Sequence, residues 1–290
     1  MLKEKTPDFW AEAWEKAHKH SLNARRRRGF DQMEYWNSMA EFFAKTAKRT
    51  DRGGRRQKIL SWLEGEGALQ PGMEILDIGA GAGNFTIPMA EKAACVTALE
   101  PAPAMLEALR AGVEEKGLAN VQYINREWEA MDPQRDGLSG GFDLVFASLT
   151  PGIKDVGTLE KMCLCSRGWC FLCDFAGRRR FPGHEELWSL IFNEKMPLPG
   201  HDIIYPFNYL YLAGYMPSFQ AWIDVRDREM PVEEAIASFE QYFWRYAEPA
   251  PETKKTIKDY VEKKSVSGIY HEVYRVRLGM VLWSVSEKIK

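Results

Sequence analysis

From residue 74 to residue 174, short apolar runs alternate with segments of helical period. The runs 74–78, 95–99, 121–124, 142–147 and 169–174 read as buried strands, and 84–92, 103–116 and 156–164 as the helices between them. Alternation at this spacing predicts right-handed crossovers and a parallel sheet with helices on both faces. Before this block the pattern is helical. Thr6-Pro7-Asp8 supplies a start signal and Gly29 an interruption, so helices are expected over 7–24 and 30–47. Trp10, Trp14, Tyr35, Trp36, Met39, Phe42 and Phe43 fall at spacings that form apolar stripes along them. Gly53-Gly54 marks a linker, followed by a helix from Arg55 to Leu63.

After Phe175 the alternation breaks. Ten residues between 178 and 222 are aromatic, a local enrichment over the 12% of the whole chain. Within that region Asn208 to Gly214 reads as a helix and Ser218 to Val225 as a strand. Two helices, 232–247 and 252–264, flank Pro249-Ala250-Pro251, and Tyr270 to Ser286 reads as a long strand. The expected divisions are a helical cap (1–54), a nucleotide-binding core (55–177), an insertion (178–217) and a segment that completes the sheet (218–290).

Composition adds exclusions more than assignments. A chain of 290 residues with 45% hydrophobic and 28% charged residues has the make-up of a soluble globular protein. A net charge of −2 argues neither for a protein that coats nucleic acid nor for an acidic tail. No apolar run reaches the length of a membrane span, and the amino terminus lacks a signal-peptide core, so a cytoplasmic location is expected. Cys163, Cys165, Cys170 and Cys173 invite a zinc reading, yet 169–175 reads as a strand with Cys170 and Cys173 on opposite faces. No metal is expected. Arg25 to Arg28, and more loosely Arg49, Arg52, Arg55 and Arg56, are basic clusters that either meet phosphates or serve as solvated helix faces and ends.

The chemistry concentrates after the first strand. Glu74-Ile75-Leu76-Asp77-Ile78 runs into Gly79-Ala80-Gly81-Ala82-Gly83-Asn84 and then a helical pattern. Strand, glycine turn and helix make a nucleotide site at the carboxyl edge of a parallel sheet, because the missing side chains admit a ligand to the backbone. A dinucleotide fingerprint requires glycine at position 84, where Asn84 stands. Glu100 ends the next strand, and a carboxylate there can accept both hydroxyl hydrogens of a ribose.

The Asp77-x-Gly79-x-Gly81-x-Gly83 spacing resembles the first motif of class I S-adenosylmethionine (SAM) methyltransferases, and the resemblance extends over roughly residues 70 to 175. It implies an α/β fold: a doubly wound, mostly parallel seven-stranded sheet whose last strand runs antiparallel. An N-terminal helical cap and a helical, aromatic insertion before the last two strands would complete it. It implies SAM as cofactor and S-adenosylhomocysteine as product. Asp77, Gly79, Ala80, Gly81, Gly83, Glu100 and Pro101 are the cofactor residues so implied at the first two strands, with Met105 beside the adenine. Glu127 and Trp128 would meet the adenine amino group and ring, although Arg126 stands where the family more often has glycine. Ser148 ends the strand that faces the transferable methyl.

Methyl transfer demands alignment more than side-chain chemistry, so catalytic residues need leave no motif. Ser148, Thr150, His184, His201, Tyr205 and Tyr211 are the candidates, and Ser148-Leu149-Thr150-Pro151 replaces the Asn/Asp-Pro-Pro-Tyr signature of base- and glutamine-directed members. The expected acceptor is a small molecule. An RNA methyltransferase using the arginine clusters and a non-catalytic SAM sensor are the alternatives.

Overall fold

The computed structural model describes residues 6–48, 54–177, 179, 181–200 and 202–289. Arg49, Arg52 and His201, singled out above, lie outside the described residues. Its centre is the predicted alternation: β1 (Glu74–Ile78), α5 (Thr86–Ala90), β2 (Cys95–Leu99), α6 (Pro103–Glu115), β3 (Val121–Ile124), β4 (Phe142–Ser148), α7 (Val156–Cys165) and β5 (Ser166–Phe175). With β6 (Ser218–Pro231) and β7 (Ile269–Ser284) they form a seven-stranded sheet in the order β3-β2-β1-β4-β5-β7-β6. The pairs among the first five strands are parallel, and β7 runs antiparallel to both β5 and β6.

Period-two patterning sorts the central strands onto two faces. Ile75, Leu144, Phe146 and Phe171 point to one side, where Ile59, Trp62 and Leu63 of α4 (Arg55–Gly65) and Met89 of α5 cover them. Leu76, Ile78, Val145, Ala147 and Leu172 point to the other, under Leu159 and Met162 of α7, Trp14 of α1 (Pro7–Lys19), and Tyr209 and Leu210 of α9 (Ile204–Leu212). The Phe146 and Phe171 rings stack with centroids 4.8 Å apart. Cys170 and Cys173 fall in these two opposite cores.

The amino-terminal helices are shorter than expected. In place of 7–24 and 30–47 stand α1, a single 3₁₀ turn at Leu22–Arg25, α2 (Gln32–Ser38) and α3 (Ala40–Lys48). Long-range bonds take the backbone groups that would have continued the first helix: Leu22 N–H donates to Leu198 and Arg27 N–H to Arg245. The Asp31 side chain then caps α2 at Met33 N and Glu34 N.

The carboxyl half also departs from its pattern. Charged residues from Asp224 to Glu229 hid the continuation of β6, which stays paired with β7 out to Pro231–Ile269. Only Leu278–Ser284 of β7 pairs with β5, so the rest of both strands is a ribbon projecting past the sheet. Helices α8 (Pro182–Phe192), α10 (Val232–Phe243) and α11 (Pro251–Lys264) pack on it around Trp188, Phe239, Phe243, Ile257 and Tyr270, making a second core. No helix among the described residues is long and apolar enough to cross a membrane.

Phe171 is fully buried between Phe146 and Trp62. Phe171→Ala is expected to destabilise the protein by about 3–5 kcal/mol, read as a lower urea midpoint at unchanged slope.

Candidate functional site

The order of the strands reverses between β1 and β4, which opens a crevice at the carboxyl ends of these strands. Gly79 and Ala80 N–H both donate to Leu99 O, at 2.8 and 3.2 Å, and hold the glycine loop against the end of β2. Glu100 lies there with 6% of its surface exposed. Gly81 N–H donates to its Oε2 and Ala102 N–H to its Oε1, each at 2.9 Å. Burial pushes the carboxyl upward in pKa, and the two amide bonds pull it back. Each oxygen keeps a further lone pair for a ligand hydroxyl. Asn125, just past β3, clasps the same turn by donating to Glu100 O and Pro101 O at 2.9 and 2.8 Å.

Asp77 is buried one strand away and accepts from Thr86 Oγ1 at 2.6 Å, which ties β1 to the first residue of α5. Burial pushes its carboxyl up to about 7, the Thr86 bond opposes this, and the Glu100 charge adds to it. The three glycines serve different ends. A Cβ on Gly79 would stand 2.3 Å from Thr150 Oγ1, and one on Gly83 2.4 Å from Leu109 Cδ1, so both allow close packing inside the protein. Gly81, at φ +56°, has nothing within 4 Å of that position. It is the open face of the loop.

Residues 75–162 match the family model described as a methyltransferase domain. That match runs from β1 into α7, under a third of the chain. Among curated proteins it is similar to the 23S rRNA (uracil(1939)-C(5))-methyltransferase RlmD of Pectobacterium carotovorum subsp. carotovorum, 35% identical over 88 residues, or 30% of this chain and 19% of that one. The RlmD of Klebsiella pneumoniae (strain 342) is 37% identical over 86 residues, with the same shares. The chain thus spans about a fifth of the length of the curated relatives it matches. Two crystal structures share the fold. A candidate methyltransferase from Bacillus halodurans C-125 has TM-score 0.51 and 15% identity, covering 79% of this chain and 99% of that one. The YcgJ protein of Bacillus subtilis has TM-score 0.50 and 13% identity, covering 85% and 97%.

Around the crevice the remaining positions are unequally placed. Met105 is buried with Ala40, Ala82 and Ala102, and Met33 and Trp36 of α2 pack against this group, so α2 and α3 cover the glycine loop. Asn37 Oδ1 accepts from Ala104 N–H at 3.0 Å and pins that cover. Glu127 is exposed, whereas Trp128 turns its ring into the core and donates from Nε1 to Thr158 O at 3.0 Å. Ser148 Oγ is enclosed without a conventional hydrogen-bond partner, against the Cys173 thiol. Leu149 takes a left-handed φ of +53° between it and Thr150, a strained conformation of the kind that clusters at functional sites.

The catalytic candidates do not converge. Thr150 touches the glycine loop, but Tyr205 packs near Trp10 and Tyr211 is 64% exposed. His184 lies against Phe181, Phe239 and Tyr242, and burial pushes its imidazole down to about 3, which leaves it neutral. Among the described residues no group of three His, Cys, Asp or Glu side chains has the arrangement to hold a metal. Sequence reading passed over Thr86 and Asn125. Nothing in their local pattern marks them, since their partners lie 9 and about 25 positions away.

Because the native carboxyl of Asp77 titrates at about 7 and the unfolded one near 3.8, the folded state retains a proton that the unfolded state has lost. Stability of the ligand-free protein is therefore expected to fall as pH rises from about 4 to 7. Asp77→Asn, which keeps an acceptor for Thr86, should lessen the fall by up to about 1.4 kcal/mol per pH unit in urea titrations.

Proposed function

We propose that this chain transfers a methyl group from SAM to a small-molecule acceptor by in-line displacement. The observation that carries the reading is the Glu100 carboxylate, clamped by the Gly81 and Ala102 amides beside the one open glycine of the loop. That arrangement fits a ribose: the carboxylate is oriented in advance, its spare lone pairs take two hydroxyls, and no Cβ obstructs the approach. When bound, SAM supplies a methyl on a sulfonium sulfur. Asp77, buried in β1 beneath the loop, would support the loop or the methionine end, and Glu127 with the Trp128 backbone would flank the adenine. Ser148 to Thr150, at the end of β4, border the methyl side. The residues' own contribution is orientation and exclusion of water, and no side chain is assigned as a base.

A small-molecule acceptor is favoured by the fate of the arginines. Arg25 pairs with Glu194 through both carboxylate oxygens, at 2.9 and 2.8 Å. Arg26 donates to Gln32 and lies 5.5 Å from the Phe30 ring centroid. Arg27 bonds Trp244 O and Glu248 at 2.9 and 2.8 Å. Arg55 lies over Phe85, and Arg56 donates to Ala47 O and Asn84 Oδ1. Among the described residues, these five arginines are engaged with partners within the chain. Five free cysteines suit a reducing compartment such as the cytoplasm.

Calorimetric titration of S-adenosylhomocysteine and NAD tests the reading. The first ligand alone should bind, and Glu100→Ala should weaken it about tenfold or more, ~1.4 kcal/mol. Failure of both ligands to bind the folded protein would overturn the proposal. Gly81→Ala should cost only about 1–2 kcal/mol of stability, for its left-handed φ, yet lower affinity well beyond that, since the new methyl meets nothing but ligand.

A further inference from the structure

A cavity of about 1740 Å³ opens where β5 ends, bounded by α8, α10, α11 and the β6–β7 ribbon. Its inner edge includes Phe175, two positions beyond Cys173, which is paired in register with Ser148. Two strand residues span about 7 Å, so the cavity begins beside the β4 end. Its walls carry six cationic side chains (Arg179, Lys195, Arg228, Arg245, Lys263, Lys264) against three carboxylates, in a chain whose net charge is −2. Two of the three carboxylates are engaged: Glu186 pairs with Lys264 at 2.9 Å, and Glu185 accepts from Phe181 N–H. Six phenylalanine and tyrosine residues supply flat apolar wall.

Arg245 is the centre of this wall. Its guanidinium lies 5.2, 4.2 and 5.1 Å from the ring centroids of Tyr35, Tyr242 and Tyr246. Its Nε donates to Tyr242 O at 3.2 Å, and among the described residues no carboxylate forms an ion pair with it. Arg228 donates to the weak acceptor Met230 Sδ at 3.1 Å, with Glu272 in its neighbourhood but bonded to Gly183 N–H. Both arginines line the cavity with His184 and their charges disfavour its protonation, and His184 Nδ1 is enclosed without a partner. A neutral imidazole with an unsatisfied nitrogen beside two guanidinium groups is costly unless a ligand supplies the missing bonds and charge.

We propose that this chamber binds the acceptor as an anion: an aromatic or conjugated small molecule whose oxyanion group is received by Arg245 and Arg228, with His184 completing its hydrogen bonds. The inference rests on the methyltransferase reading for the word acceptor, but the anion site itself does not. The guanidinium forks match a planar oxyanion, and the ring faces match a flat body.

The test uses 2-naphthoate, 2-naphthyl phosphate and the neutral 2-naphthamide as calorimetric probes of the full chain, with S-adenosylhomocysteine titrated into the same samples. One or both anionic probes should bind at least about tenfold tighter than the amide, and which one does so distinguishes carboxylate from phosphate. Arg228→Gln and Arg245→Met should each reduce that preference at least about tenfold while S-adenosylhomocysteine affinity stays within about twofold. Arg245→Lys, which keeps the charge without the fork, serves if the methionine variant does not fold. Equal binding of charged and neutral probes, no binding of any, or full preference in the variants would overturn the chamber. Loss of S-adenosylhomocysteine binding with the anion preference intact would instead overturn the methyltransferase reading alone.

Discussion

One buried carboxylate organises the crevice. Glu100 is withdrawn from water at the end of β2, and an ionised carboxyl in that position is costly unless its oxygens are bonded. Two backbone amides meet the need, from Gly81 on one side and Ala102 on the other, and bonds to a charged group contribute about 1.5–3 kcal/mol each. The loop after β1 must therefore arrive with its N–H groups facing β2, which the parallel Ile78–Leu99 register makes possible. Asn125 extends the constraint to the end of β3, and the Thr86–Asp77 bond extends it to the first turn of α5. The shape of the crevice is thus set by the fold itself.

The rest of the chain divides between closing that crevice and building a neighbouring chamber. The amino-terminal segment joins the two, because Trp14 packs into the sheet core and Leu22 into the second core. Arg25 and Arg27 reinforce the junction through Glu194 and Glu248. The ribbon of β6 and β7 carries the second core beyond the sheet, and ribbon, helices and the turn after α10 bring arginine and tyrosine side chains together around a cavity at the edge of β5. Crevice and chamber accordingly share one sheet but have different walls. The first is backbone amides and carboxylates, and the second is guanidinium groups and aromatic rings.

Much of this was legible in the sequence. The alternation from Glu74 to Phe175, the glycine spacing and Glu100 at a strand end are local properties, set by periods of two and 3.6 residues and by the conformations that glycine allows. The fold class and the carboxyl-edge position of the glycine loop follow from them. Other features were decided only when distant segments met. That Gly79 and Gly83 serve internal packing while Gly81 faces open space depends on where Thr150 and Leu109 come to lie. The arginine run reads as a basic patch until its partners at Glu194, Trp244 and Glu248 are in place. Charges along β6 mask a strand that exists because β7 supplies its hydrogen bonds. Periodicity records how each segment meets water, whereas pairing across a hundred or more residues depends on the geometry of the assembled sheet, which no local pattern contains.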